Sequence, residues 1–175
     1  MENHLRLTTD STADHSTQAK RAAPFQELIH KLEARLDIET ALADYCIGID
    51  DRDPDRWVSA FHHDAVFDVD YPAQICRGHA AIIAWVQGPW AFDAISHLSG
   101  NSRIQFIDEI HAEGIAHATA MFRLKDGSSL LGTARYSDKY SAIDGIWRIA
   151  YRKVHVVQMG AYTSVTYIIL NGKAL

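Results

Sequence analysis

The second half of the chain leaves little choice of fold. Residues 97–108, 114–124, 128–143 and 146–159 are four long runs rich in β-branched and aromatic side chains, and each is predicted to be a strand. Asp126-Gly127 and Asp144-Gly145 separate them as tight hairpin turns, and residues 108–113 form a weaker one. Strands joined this closely run antiparallel, so the sequence specifies a meander. Strands of such length coil strongly, and one face of the sheet needs a cover.

The first half supplies that cover. Ile38, Leu42, Tyr45 and Ile49 recur at i, i+4, i+7 and i+11, an apolar helical stripe. Phe25, Ile29, Leu32 and Leu36 repeat the pattern thirteen residues earlier. At 3.6 residues per turn the two stripes differ by about 220°, so a helix over 24–50 buries two faces or bends, and its first half is expected to meet a partner element or a second subunit. Asp53-Pro54 then restarts the chain: Asp53 suits an N-cap, Pro54 a first helical position, and Asp55 the positive end of the helix dipole. Asp51 is most simply solvated. Asp50 has no such structural task and stands at a helix C-terminus, where the dipole disfavours a negative charge. Either it is exposed and tolerated, or it faces a cavity as part of a base.

Between these halves, residues 54–61 form a short helix carrying Trp57 and Phe61, and residues 66–71 alternate as a strand that 74–77 can join. Gly78 opens a third helix, with Ile82, Ile83, Trp85 and Val86 as its apolar side, stopping at Gly88-Pro89. Residues 89–96 are expected as an irregular loop whose Trp90 and Phe92 either close over a cavity or simply pack. The whole is an α+β fold: a curved antiparallel sheet wrapped around a long N-terminal helix, with two further helices and a small-molecule cavity inside. Residues 1–23 are polar and expected as a loosely ordered arm, 24–160 as the domain, and 161–175 as a tail whose apolar burst at 165–170 adds a short strand or docks on a neighbouring subunit.

Composition removes several functions. A length of 175 residues suits one domain, and a net charge of −5 argues against nucleic acid as the main partner. No apolar run approaches the roughly 20 residues of a membrane span, and the N-terminus lacks the apolar segment of a secretory signal, so a cytoplasmic protein is expected. Cys46 and Cys76 fit neither a disulfide framework nor a metal spacing. His62-His63 are adjacent, His111 and His117 flank a weak turn, and no carboxylate or cysteine completes a ligand set, so no metal is expected.

At this point the ordered set of features resembles the NTF2-like superfamily in its SnoaL-like branch, over residues 28–157. The features are Tyr45 and Asp50 closing the first helix; Trp57 and Phe61; Ala65-Val66-Phe67; Arg77-Gly78 before the third helix; His97 with Asn101 and Ile104; and Tyr136, Asp138 and Tyr140 before Asp144-Gly145 and Trp147. Asp50 and His97 are similar to the Asp/His pair of the scytalone dehydratases, hexachlorocyclohexane dehydrochlorinases and bile-acid dehydratases. The resemblance implies a cofactor-free lyase in which His97 takes a proton from carbon and Asp50 orients and charges it. Tyr45 matches the tyrosine of the bile-acid dehydratases, and Tyr71 is a looser counterpart of one in scytalone dehydratase. The match breaks elsewhere. His117 is out of register with the second histidine of scytalone dehydratase. The dehydrochlorinase arginine falls on Ala142 or Ile143, and that of the bile-acid dehydratases near His155 or Val156.

The chemistry agrees with the residue types. Elimination needs a base of near-neutral pKa, which histidine supplies, and a carboxylate to fix its tautomer. A tyrosine can donate to a developing enolate or leaving oxygen. The expected function is therefore elimination or related carbon–carbon lysis on a small hydrophobic cyclic or aromatic substrate, with His97, Asp50 and Tyr45 catalytic and Tyr71, Trp90, Phe92, His155 and Trp57 binding substrate. An isomerase or cyclase using the same base, a non-catalytic module like the dioxygenase small subunits, and a simple ligand carrier remain alternatives. A homodimer or homotrimer is expected, since the outer face of such a sheet exposes apolar area.

Overall fold

A computed structural model describes residues 12–87 and 92–161. The chain divides into two units, Met1–Leu36 and Asp37–Leu175. In the first, the described residues belong to helix α1, Thr12–Asp50, which starts twelve residues before the expected Pro24. Phe25, Leu28, Leu32 and Leu36 are exposed on it.

In the second unit, the last turns of α1 bury Ile38, Leu42, Tyr45 and Ile49, the predicted stripe. The helix ends as Arg52 turns into the left-handed region at φ 57°, and the amide of Asp53 donates back to the Gly48 carbonyl at 2.8 Å. Asp53 then caps α2 (Pro54–Ser59), its carboxylate accepting from the Arg56 amide at 3.0 Å. Gly48 is required where the helices meet. A Cβ there would lie 2.5 Å from the amide nitrogen of Trp57 and 2.6 Å from its Cα.

Strands β1 (Phe61–Asp70) and β2 (Ala73–Arg77) form a hairpin through a cis Tyr71-Pro72 bond, and helix α3 (Gly78–Gln87) follows. The meander is β3 (Phe92–Phe106), β4 (His111–Leu124), β5 (Ser129–Ile143) and β6 (Ile146–Ala161). At the last turn Asp144 (φ 53°) and Gly145 (φ 77°) are both left-handed, the geometry that matches the twist of a two-residue hairpin. The sheet order is β2-β1-β6-β5-β4-β3. Its pairs are antiparallel, as expected, except β1 with β6, which run parallel. Strand pairing also claims residues 92–96, expected as loop: Phe92 lies opposite Leu124 and Ser96 opposite Met121. Register breaks at Phe92/Ala94, Gly100/Arg103, Thr133/Ala134 and Lys139/Tyr140 coil the long strands and leave the sheet curved but unclosed.

An aromatic core joins the layers. Trp57 is fully buried and meets Phe61 and Phe67 edge-on at 6.0 and 5.8 Å, while Phe67 meets Trp85 of α3 at 5.2 Å. Among the described residues no helix is long and apolar enough to cross a membrane.

Because Gly48 faces immovable backbone, Gly48→Ala should cost more than the roughly 1 kcal/mol of helix propensity that alanine gains. The expected net loss is about 1–3 kcal/mol of unfolding free energy by urea denaturation, and an equal or more stable variant would contradict the packing described.

Candidate active site

The curved sheet and the end of α1 enclose a cavity of about 420 Å³, within the range of small-molecule sites. Its walls are mainly apolar: Phe67 and Val69 of β1, Trp85 of α3, Phe92 and Ile95 of β3, and Phe122 of β4. Its polar side chains are few: Tyr45, Tyr71, His97, Thr133 and Tyr136.

Asp50 and His97 meet at the edge of this space. The His97 ring donates from Nδ1 to Asp50 Oδ1 at 2.5 Å, and the His97 backbone amide donates to Oδ2 at 2.7 Å. Both carboxylate oxygens therefore hold one residue, by ring and by backbone. The His97 side chain is 8% exposed and that of Asp50 22%. A carboxylate acceptor places the hydrogen on Nδ1 and leaves Nε2 as the basic nitrogen.

Beneath the cavity lies a second ionic group. Asp138 and Arg152, adjacent across β5 and β6, form a bidentate pair with both bonds at 2.8 Å and no exposed side-chain surface. Tyr140 donates to Asp138 at 2.7 Å. The guanidinium carbon of Arg152 stands 4.2 Å from the ring centre of Tyr45 and 4.3 Å from that of Tyr136, a cation between two aromatic faces. Its Nη1 is buried without a hydrogen-bond partner among the described residues. Burial pushes the Tyr45 hydroxyl up to about 12, against the opposing pull of Arg152, and burial likewise raises Tyr136. Both phenols thus stay protonated through the neutral range.

Of the side chains singled out in the sequence, Asp50 and His97 touch, and Tyr45, Tyr71 and Phe92 line the cavity. Trp57 does not line it: it packs behind Tyr45 at 6.0 Å. His155 does not line it either. Val154 and Val156 point inward, so strand alternation sends His155 to the other face, where its Nδ1 lies 3.5 Å from Asp70. Trp90 lies outside the described residues. Tyr136, Thr133 and Arg152 were not anticipated. The available signal was a charged residue at inward parity, two positions before Val154, opposite the inward Asp138. Among the described residues no three His, Cys, Asp or Glu side chains converge as metal ligands would.

The family model for the SnoaL-like domain matches residues 30–153. Hexachlorocyclohexane dehydrochlorinase 1 of Sphingobium indicum is 25% identical over 128 residues, covering 70% of this chain and 80% of that protein. Among solved structures, a type 2 hexachlorocyclohexane dehydrochlorinase superposes with a TM-score of 0.75 at 20% identity, covering 83% of this chain and 99% of that one. A type 3 enzyme of Novosphingobium barchaimii gives 0.74 at 21% identity, covering 81% and 99%.

Asp138→Ala would strand the Arg152 charge without its counterion. The expected cost is about 3–5 kcal/mol of unfolding free energy, read from urea denaturation, whereas a loss below about 1 kcal/mol would show that the charge is not confined as described.

Proposed function

The chain belongs to the SnoaL-like domain family, and from that premise we propose that it is a lyase acting without a cofactor on a small hydrophobic cyclic or aromatic substrate. The observation that carries the reading is the Asp50–His97 contact at the wall of an apolar cavity. With Nδ1–H committed to the carboxylate, His97 Nε2 takes a proton from carbon. The C–H electron pair becomes the new π bond, and the leaving group departs with its own bonding pair. The proton collected on His97 leaves with that group, as water or hydrogen halide, or returns to solvent. Asp50 stabilises the imidazolium formed on the way. Tyr45, held neutral, donates a hydrogen bond to a developing oxyanion or leaving oxygen, with Arg152 behind its ring. The relatives named as dehydrochlorinases support an elimination; dehydration, dehydrohalogenation and carbon–carbon lysis share this first step.

The outer face of the sheet exposes Leu98, Met121 and Val157, which supports a homodimer or homotrimer. We place it in the cytoplasm.

The test starts from a panel of β-chloro and β-hydroxy cyclic compounds, hexachlorocyclohexane included, followed by release of halide or water. On whichever compound turns over, His97→Ala and Asp50→Asn should each lower kcat at least about 10²-fold without unfolding the protein. Tyr45→Phe should lower it about 10-fold or more where the substrate carries oxygen. Undiminished turnover in His97→Ala or Asp50→Asn rejects the mechanism. Turnover that releases no water, halide or carbon fragment points instead to an isomerase or cyclase using the same base.

A further inference from the structure

The start of β3 is irregular in a way that shapes the cavity. Phe92 pairs with Leu124 and Ala94 with Arg123, so Asp93 is an extra residue in the ladder, a bulge. Phe92 and Ile95 are three residues apart, yet both line the cavity. Unbroken alternation from Ile95 would turn Asp93 inward and Phe92 outward. The bulge exchanges them: an aspartate leaves the apolar wall and a phenylalanine enters it, against Phe122 at 4.6 Å between ring centres.

Bulges leave backbone groups outside the ladder, and here two of them share one outside donor. Nη2 of Arg52 bonds the carbonyl of Phe92 at 2.7 Å and that of Asp93 at 2.9 Å. The displaced Asp93 carboxylate is held from the sheet side by Arg123, with Nε at 2.9 Å and Nη2 at 2.7 Å. Arg52 belongs to the turn that ends α1, two residues beyond Asp50, and is itself left-handed there. One turn therefore grips β3 twice, at the bulge through Arg52 and at His97 through Asp50.

We propose that Arg52 is a specificity-determining residue: by holding both carbonyls of the Phe92–Asp93 bulge it keeps Phe92 in the cavity wall and sets the size of ring system the cavity accepts. It touches neither His97 nor Asp50 in any bond described above, so it acts through Phe92 and not on the base. The group is exposed, so its contribution to global stability is small and its effect falls on selection. The inference concerns ligand size alone and does not rest on the lyase reading.

Binding of 1-naphthol and of the larger 1-hydroxypyrene, followed by quenching of tryptophan fluorescence through Trp85 in the cavity wall, tests it. The wild type should prefer the smaller probe. Arg52→Ala should reduce that preference at least about tenfold, in the range that pocket shape confers between close analogues. Phe92→Ala should do the same, and the double variant should go no further, because the two changes act in series. Arg52→Lys, which keeps a donor for the carbonyls, should recover part of the preference. The downfield imidazole proton of His97 should persist in Arg52→Ala and vanish in Asp50→Asn. The proposal is overturned by a wild type without the size preference, by an unchanged preference in Arg52→Ala, by additive effects in the double variant, or by loss of the His97 proton in Arg52→Ala.

Discussion

The carboxylate of Asp50 is the point on which the site depends. It ends a helix whose dipole opposes it, and it recovers that cost through two hydrogen bonds to one residue. A bond to the ring alone would leave the imidazole free to pivot with its strand; a bond to the backbone alone would leave the tautomer unset. Making both fixes the position of β3 relative to α1 and the orientation of the ring in a single interaction. Among the described strands β3 stands at the edge of the sheet beside β4, and this anchoring from the helix side supplies the kind of constraint that a second neighbouring strand gives to interior ones.

The floor of the cavity obeys a different logic. The Asp138–Arg152 pair is taken wholly out of water, and such pairs offset their desolvation only with close geometry and further hydrogen bonds. Here the geometry is bidentate and Tyr140 adds a third bond. The gain is placement more than stability: a fixed positive charge lies between the rings of Tyr45 and Tyr136. Apart from the imidazole at one wall, these phenols at the floor, and the hydroxyls of Tyr71 and Thr133, the side chains of the lining are mainly hydrocarbon or thioether.

The periodicities in the sequence were enough for the architecture. The α1 stripe, the Asp53-Pro54 restart and the Asp-Gly turns each express a local preference that the folded chain keeps. Asp50 was legible for the converse reason, as a carboxylate without a local task. Long-range features were not legible. Nothing near β1 announces that it pairs in parallel with β6, whose partner residues lie over eighty positions away. The bulges at Phe92/Ala94 and Thr133/Ala134 shift strand parity, so simple alternation misassigns which side chains face inward. Trp57, expected among the substrate contacts, takes its place one layer behind Tyr45 from the Gly48 contact between helices. The role of Arg152 is hidden in the sequence because its partner lies fourteen residues earlier across a hairpin with a bulge of its own.

The position of β6 governs how the molecule comes into being during synthesis. Among the described strands it is the last in chain order, yet it lies between β1 and β5 inside the sheet. A nascent chain that has emerged only through β5 presents two naked strand borders, one on each side of the gap, and Asp138 has no counterion. Such an intermediate is prone to stick to other chains through those borders. The gap fills only once β6 has left the ribosome, so the described sheet is completed by the hairpin that joins β5 to β6.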